Sequence, residues 1–305
     1  MSTASPVLII GSMALDDLHL PSGSFPNVVG GAATFASVAA SLFAPARIVG
    51  VVGDDFPEQA LDTLRSRGVD TAGVQRIAGG KTFKWVGKYA DNLQSRETLD
   101  TQLNVFADFQ PELPAAYRQS KLVLLGNIHP ALQLRVLSQL DPGAFVVADT
   151  MNFWISGERA LLSELLTKID LLTINDEELR ELAGVTNLRQ AAEKVLAMGP
   201  RRLIVKKGEH GALLFDGPEL AFVPAYPLEL EVDPTGAGDS FAGSLLGRLA
   251  QLGRTDTSAL RDALVYATAV ASFNVEGVGL ERLLAIDNAT VAARIAQVRS
   301  LVRLG

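Results

Sequence analysis

Six short runs, at residues 7–10, 47–52, 122–125, 145–148, 171–174 and 203–206, are nearly all apolar and rich in Val, Ile and Leu. Between them lie segments with apolar residues at helical spacing: 34–43, 57–67, 132–140, 159–168, 176–183 and 188–197. Three more follow at 239–252, 258–273 and 290–302. This alternation narrows the possible folds sharply. A strand with one wet face alternates apolar and polar residues, whereas a run apolar throughout is covered on both faces. Strands of the second kind, separated by helices, predict βαβ units and an α/β fold with a doubly wound, mostly parallel sheet.

One region breaks the rhythm. Residues 81–90 (Lys-Thr-Phe-Lys-Trp-Val-Gly-Lys-Tyr-Ala) alternate in character, and the chain stays polar to Asp108. That pattern predicts an antiparallel strand with one solvated face. With residues 15–28 it predicts a small sheet projecting from the main body. No repeat, low-complexity tract or linker divides the chain. The expectation is one domain over residues 1–305, with a β-lid from about 15–28 and 81–108.

Composition excludes several functions. The 305 residues are 48% hydrophobic, which suits a large core and rules out wholesale disorder. There is no cysteine, so disulfide, thiol and zinc–thiolate chemistry are absent. The histidines, His19, His129 and His210, are far apart and form no metal box. A net charge of −7 argues against nucleic acid as a partner. The first residues lack a basic region and a long apolar run, so neither a targeting segment nor a membrane partner is expected, and the protein is expected to be cytoplasmic.

The chemistry concentrates in Asp233-Pro-Thr-Gly-Ala-Gly-Asp239, which runs into the helical pattern of Phe241, Leu245 and Leu249. The first N–H groups of a helix have no internal partner and carry the positive end of its dipole. Small residues let a polyanion reach them, which makes the turn a candidate phosphate cradle. A carboxylate beside an anion needs a purpose, and Asp239 is suited to take the proton of an attacking hydroxyl. The structural alternative is an ordinary turn with an acidic helix start. A dinucleotide fingerprint fails because Phe241 stands where glycine is needed, and no G-x-x-x-x-G-K-[ST] loop occurs.

These seven residues, with Ser240-Phe-Ala-Gly243 after them, resemble the C-terminal signature of the ribokinase-like (PfkB) carbohydrate and nucleoside kinases. The resemblance implies that fold, with a β-lid, and that Gly236, Ala237 and Gly238 form the anion hole while Asp239 is the catalytic base. It also implies substrate contacts at Asp16 and at Gly30-Gly31. Many members carry Asn four residues after that glycine pair, where this chain has Phe35. Asn175 and Glu178 match a motif that organises Mg²⁺ through its water shell. An outer-sphere carboxylate is in keeping with an ion that keeps several waters. The segments holding Lys206 and Gly208, and Asn274 and Gly277, correspond to nucleotide-binding and monovalent-cation loops. A lysine at 206 departs from the small polar residue most members have there. Asp149 and Asn152 receive no role. Phe83, Trp85 and Tyr89 are expected to pack the small sheet or to stack on a substrate ring.

The reading is an ATP-dependent phosphotransferase acting on a hydroxyl of a sugar or sugar-bearing molecule. ATP, Mg²⁺ and a monovalent cation such as K⁺ are its expected cofactors, and a homodimer through the lid is its expected assembly. The alternatives are a nucleoside kinase of the same family and a protein that binds nucleotide or sugar without catalysis. An α/β oxidoreductase is disfavoured by the missing fingerprint.

Overall fold

The computed structural model describes residues 4–93 and 95–302. Its main sheet has nine strands in the order β13-β12-β11-β10-β9-β8-β1-β4-β5. These are β1 (Val7–Ile10), β4 (Ala46–Gly53), β5 (Val69–Ile77), β8 (Leu122–Leu125), β9 (Phe145–Asp149), β10 (Leu171–Asn175), β11 (Arg202–Lys206), β12 (Ala212–Asp216) and β13 (Glu219–Val223). Pairing is parallel from β5 to β11 and antiparallel for β12 and β13 at one edge. The order reverses at β1, which lies between β4 and β8. Crevices at such reversals, off the carboxyl ends of the strands, are where open α/β sheets bind ligands.

Eleven helices among the described residues pack around the sheet. They are α1 (Ala32–Ser41), α2 (Glu58–Ser66), α3 (Pro130–Leu137), α4 (Asn152–Gly157), α5 (Arg159–Leu166), α6 (Asp176–Ala183), α7 (Leu188–Leu196), α8 (Ala237–Leu252), α9 (Thr257–Val275), α10 (Glu281–Ala285) and α11 (Asn288–Ser300). Alternate residues of β1 enter opposite cores. Val7 and Ile9 pack with α1, α2, α8, α9 and α11, whereas Leu8 and Ile10 pack with α3 to α7. The doubly wound expectation is therefore met, and the continuous apolar runs are explained by burial on both faces. Helix α8 lies close on α1 because Gly243 and Gly247 present no side chain. A Cβ on Gly243 would stand 2.1 Å from the Ala36 carbonyl. That contact sets the height of α8 and so of the turn that precedes it.

A second sheet of four strands, β3-β2-β6-β7, comes from the two stretches expected to form a small sheet. It contains β2 (Ala14–Leu20), β3 (Gly23–Gly30), β6 (Lys84–Tyr89) and β7 (Arg96–Gln102). One face carries Leu18, Leu20, Trp85 and Tyr89, packed with Phe25 and Val28.

Several strands escape the sequence reading. In β7 every residue is exposed, so pairing with β6 rather than burial holds it extended. The edge strand β5 is interrupted by the polar pairs Asp70-Thr71 and Gln75-Arg76 and lacks a continuous apolar run. The β12–β13 hairpin turns at Gly217 (φ +58°), and the Asp216-Gly217-Pro218 turn signal between two apolar stretches was available to find it.

Candidate active site

Several of the predicted residues come from distant parts of the chain and meet at the carboxyl edge of the main sheet. Asp149, Asn175 and Lys206 end β9, β10 and β11, with Asn175 opposite Lys206 in register. Helix α8 begins on the same edge. It starts at Ala237, two residues earlier than the periodicity suggested, with Gly236 as its N-cap. Ala237, Gly238 and Asp239 therefore form the first turn, where amides lack intrahelical partners. The Ala237 N–H closes the turn onto the Pro234 carbonyl (3.2 Å). Of the three residues expected to form the anion hole, Ala237 thus has its amide engaged, and Gly238 offers the more open approach.

Two contacts hold the turn. Gly236 adopts φ +77°, and a Cβ there would lie 2.4 Å from the Phe35 ring. Phe35 is itself buried, as the floor beneath the turn rather than a substrate contact. Asp233 is fully buried, and its carboxylate accepts from the amides of Thr235 (2.9 Å) and Gly279 (2.9 Å). Burial raises its pKa, and these amides act in the opposite direction.

Asn274 does not face the site as a nucleotide contact. It has no exposed surface, donates to the Thr235 carbonyl (2.7 Å) and accepts from Ser240 Oγ (3.0 Å). It ties the end of α9 to the turn. Gly277 lies beside Arg282, and Gly208 is exposed in a single 3₁₀ turn after β11 with open space where a Cβ would stand. The contacts of neither glycine require it to meet a ligand.

Asp239 is the electrostatic centre. Burial pushes its carboxyl up to about 7, and the charge of Asp149 adds to this, while Lys206 and Arg96 oppose it. Lys206 is largely buried, with Nζ 2.9 Å from Asp149 Oδ2. Burial works against its charge, but Asp149, Glu178 and Asp239 outweigh it and raise its pKa. The same Nζ lies 3.1 Å from where a Cβ on Gly238 would be, so the ammonium stands over the start of α8. Asp149, with no role in the sequence reading, is thus the partner of Lys206. Its place at the end of an apolar run was a usable signal.

Asn175 and Glu178 form a capping box at the start of α6. Glu178 N donates to Asn175 Oδ1 (2.8 Å), and Asn175 N donates to Glu178 Oε2 (3.1 Å). The capping alternative is therefore real at this position. Glu178 is held with its second oxygen uncommitted to the cap, and burial raises its carboxyl to about 7. Among the described residues, no group of three or more His, Cys, Asp or Glu could hold a metal. The carboxylates of Glu178, Asp149 and Asp239 offer hard oxygen donors, which fits an ion such as Mg²⁺ that keeps waters and needs few protein ligands.

Asp16 lies on β2 across the crevice. It is 5% exposed, yet its Oδ1 has no hydrogen-bond partner. Burial raises its carboxyl to about 7 against the Trp85 backbone N–H, and Asp233, Asp239 and Asp17 add to the rise. Gly30 makes room for it, since a Cβ there would fall 2.3 Å from Asp16 Oδ2. Gly31 (φ +93°) brings α1 against Ser12, whose carbonyl accepts from Ala33 N (3.0 Å). A buried carboxylate with an unused oxygen is built to receive hydroxyl donors. Asp16→Ala is expected to raise KM for the acceptor about 10–100-fold, from the loss of charge-assisted hydrogen bonds, with KM for ATP little changed. Equal effects on the two substrates would return Asp16 to a structural role.

The site's carboxyls also make the unliganded fold sensitive to pH. Asp16, Glu178 and Asp239 bind protons more tightly folded than unfolded, so the stability they contribute is lost as pH rises toward about 7.

This constellation, on a doubly wound sheet with a small second sheet, defines a phosphotransferase-type site. The chain belongs to the pfkB family of carbohydrate kinases, whose model matches residues 9–285. It is 31% identical over 246 residues to a cytidine kinase of Thermococcus kodakarensis, covering 79% of this chain and 87% of that protein. It is 27% identical to fructokinase-1 of Oryza sativa subsp. japonica, covering 89% and 90%. In structure it resembles an E. coli chain assigned as a ribokinase II, in complex with ATP and Mg²⁺ (TM-score 0.80, 22% identity, 96% of this chain and 99% of that one). Among the described residues, no helix is long and apolar enough to cross a membrane.

Proposed function

We propose that this protein transfers the γ-phosphoryl group of ATP to a hydroxyl of a nucleoside. The observation that carries the acceptor class is Asp16, whose carboxylate meets the Trp85 backbone N–H on the small sheet. The carboxylate takes the vicinal hydroxyls of a ribose through its unpartnered oxygen. On the same small sheet the Trp85 indole lies flat over Gly87, where a Cβ would stand 2.1 Å from the ring, with its Nε1 donating to Thr98 Oγ1 (3.1 Å). An aromatic face held in this way suits a planar base. The similarity to a cytidine kinase supports the same reading.

In this reading Asp239 accepts the proton of the attacking hydroxyl, and its pKa of about 7 is matched to that task near neutrality. Amides of the first turn of α8, with Gly238 foremost, bind the transferring group. Lys206 sits on the phosphates beside them, and Asn175 holds Glu178 toward the water shell of Mg²⁺. When bound, Mg²⁺ neutralises charge on the ATP phosphates. The small sheet acts as a lid. Tyr89 already bridges it to the main body through a 2.8 Å hydrogen bond between its hydroxyl and Thr235 Oγ1. Closure of this kind excludes water that would otherwise hydrolyse ATP.

A free sugar is the second reading, favoured by similarity to a fructokinase over 89% of this chain. A panel of cytidine, uridine, adenosine, inosine, ribose and fructose, each with ATP and Mg²⁺ and scored by ADP release, separates them. A nucleoside is expected to show the highest kcat/KM. Preference for ribose or fructose would replace the nucleoside reading, and no turnover of any acceptor would leave a binding protein.

A further inference from the structure

Arg96 opens β7, directly opposite Tyr89 of β6. Directly opposed residues on neighbouring strands share a face, so Arg96 projects with Tyr89 on the side of the small sheet that meets the main body. The Tyr89 hydroxyl lies 2.8 Å from Thr235 Oγ1, and the Arg96 guanidinium stands near the same phenol, where its charge favours the ionised form. Thr235 immediately precedes Gly236, so the guanidinium stands one hydroxyl away from the turn that receives phosphate. Its carbon is also 5.9 Å from the centre of the Trp85 ring, which limits its freedom.

Charge makes this placement consequential. Asp149, Glu178 and Asp239 crowd the carboxyl edge, and Lys206 has its ammonium on Asp149 at 2.9 Å. ATP adds further negative charge there. Arg96 is the cation that the small sheet brings to the same place, and its field acts on both Asp239 and Glu178. A planar guanidinium suits phosphoryl oxygens because it donates two parallel hydrogen bonds.

We propose that Arg96 is a catalytic residue, donating hydrogen bonds to the γ-phosphoryl group as it moves from ATP to the acceptor. In the step, the acceptor oxygen forms a bond to the γ-phosphorus and the bond from that phosphorus to the β–γ bridging oxygen breaks. The electron pair leaves with ADP, and the hydroxyl proton passes to Asp239. Arg96 stays protonated throughout and stabilises charge on the equatorial oxygens. Because it arrives on the lid, phosphoryl transfer is coupled to closure over the acceptor. The inference rests on ATP-dependent transfer and holds for a nucleoside or a sugar.

The test uses whichever acceptor of the panel the wild-type enzyme turns over. Arg96 is exposed, so its substitution leaves the core intact. Arg96→Met is expected to lower kcat about 10²-fold or more, with the Kd of ATP changed little, because the bonds strengthen only as charge develops. Arg96→Lys should fall between the two. Arg96→Gly supplied with guanidinium chloride at low millimolar concentration should regain part of the lost kcat. A normal kcat in Arg96→Met would overturn the proposal. So would a lowered kcat that guanidinium does not restore, which would make Arg96 a brace for Tyr89 and Trp85. Absence of turnover by the wild type would instead remove the kinase reading, and this inference with it.

Discussion

Asp239→Asn is expected to lower kcat by roughly 10²–10⁴, the range over which a positioned base contributes. Asparagine keeps the size and the hydrogen-bonding reach of the side chain, so nucleotide affinity should be nearly unchanged. The pH dependence supplies a second signature. Burial, with Asp149 beside it, holds the Asp239 carboxyl at about 7, against Lys206 and Arg96. A base must be deprotonated to work, so wild-type kcat/KM should fall as pH drops below about 7. The Asp239→Asn enzyme should lose that limb, since its residual turnover no longer depends on the titration. Steady-state kinetics between pH 5.5 and 9, scored by ADP release, check both points. Near-full turnover of the variant at neutral pH would remove Asp239 as the base.

The second large effect separates two glycines that look alike in sequence. Gly236→Ala places a Cβ 2.4 Å from the Phe35 ring and forces an L side chain to φ +77°. Phe35 is buried between sheet and helix and cannot retreat. Left-handed strain and overpacking together should cost about 2–5 kcal/mol of folding stability. Gly238→Val meets something different. The atom nearest its Cβ is the Lys206 ammonium at 3.1 Å, the far end of a flexible side chain. That variant should fold with little loss of stability, yet displace Lys206 and obstruct the phosphate approach, lowering kcat/KM for ATP about 10²-fold. Urea unfolding paired with kinetics reads the two effects separately. If Gly238→Val unfolds as readily as Gly236→Ala, the turn is structural throughout and the cradle is lost as an explanation.

Much of the architecture was legible because its causes are local. Runs such as Val7–Ile10 and Leu122–Leu125 are apolar at every position since both faces of the sheet are covered, and the fully buried burial pattern confirms it. The seven-residue turn was legible for the same reason. Its glycines, its helix start and its carboxylate sit within one short segment, so their relation needs no fold to state it. Strand β7 was not, because its extension depends on pairing with β6 and leaves no hydrophobic trace.

The sequence by itself determined the class of fold, and it marked the glycine turn with Asp239 as a candidate phosphate site and Asp16 and Glu178 as candidate carboxylates. Tertiary structure decided which of these are free to act. Asn274 reads as a polar residue near a glycine-rich loop, but packing buries it as a tie to Thr235. Phe35 reads as a lost polar contact and proves to be the floor under Gly236. Lys206 reads as a residue of a nucleotide-binding segment, and only the fold shows its ammonium held by Asp149, 57 residues away, at 2.9 Å. Tyr89 reaches Thr235 across a separation of 146 residues, and Arg96 follows it through strand pairing. The physical reason is common to all of them. Backbone preferences and apolar periodicity act over a few residues and are written locally, whereas charge, burial and close approach depend on which strand ends the topology places side by side.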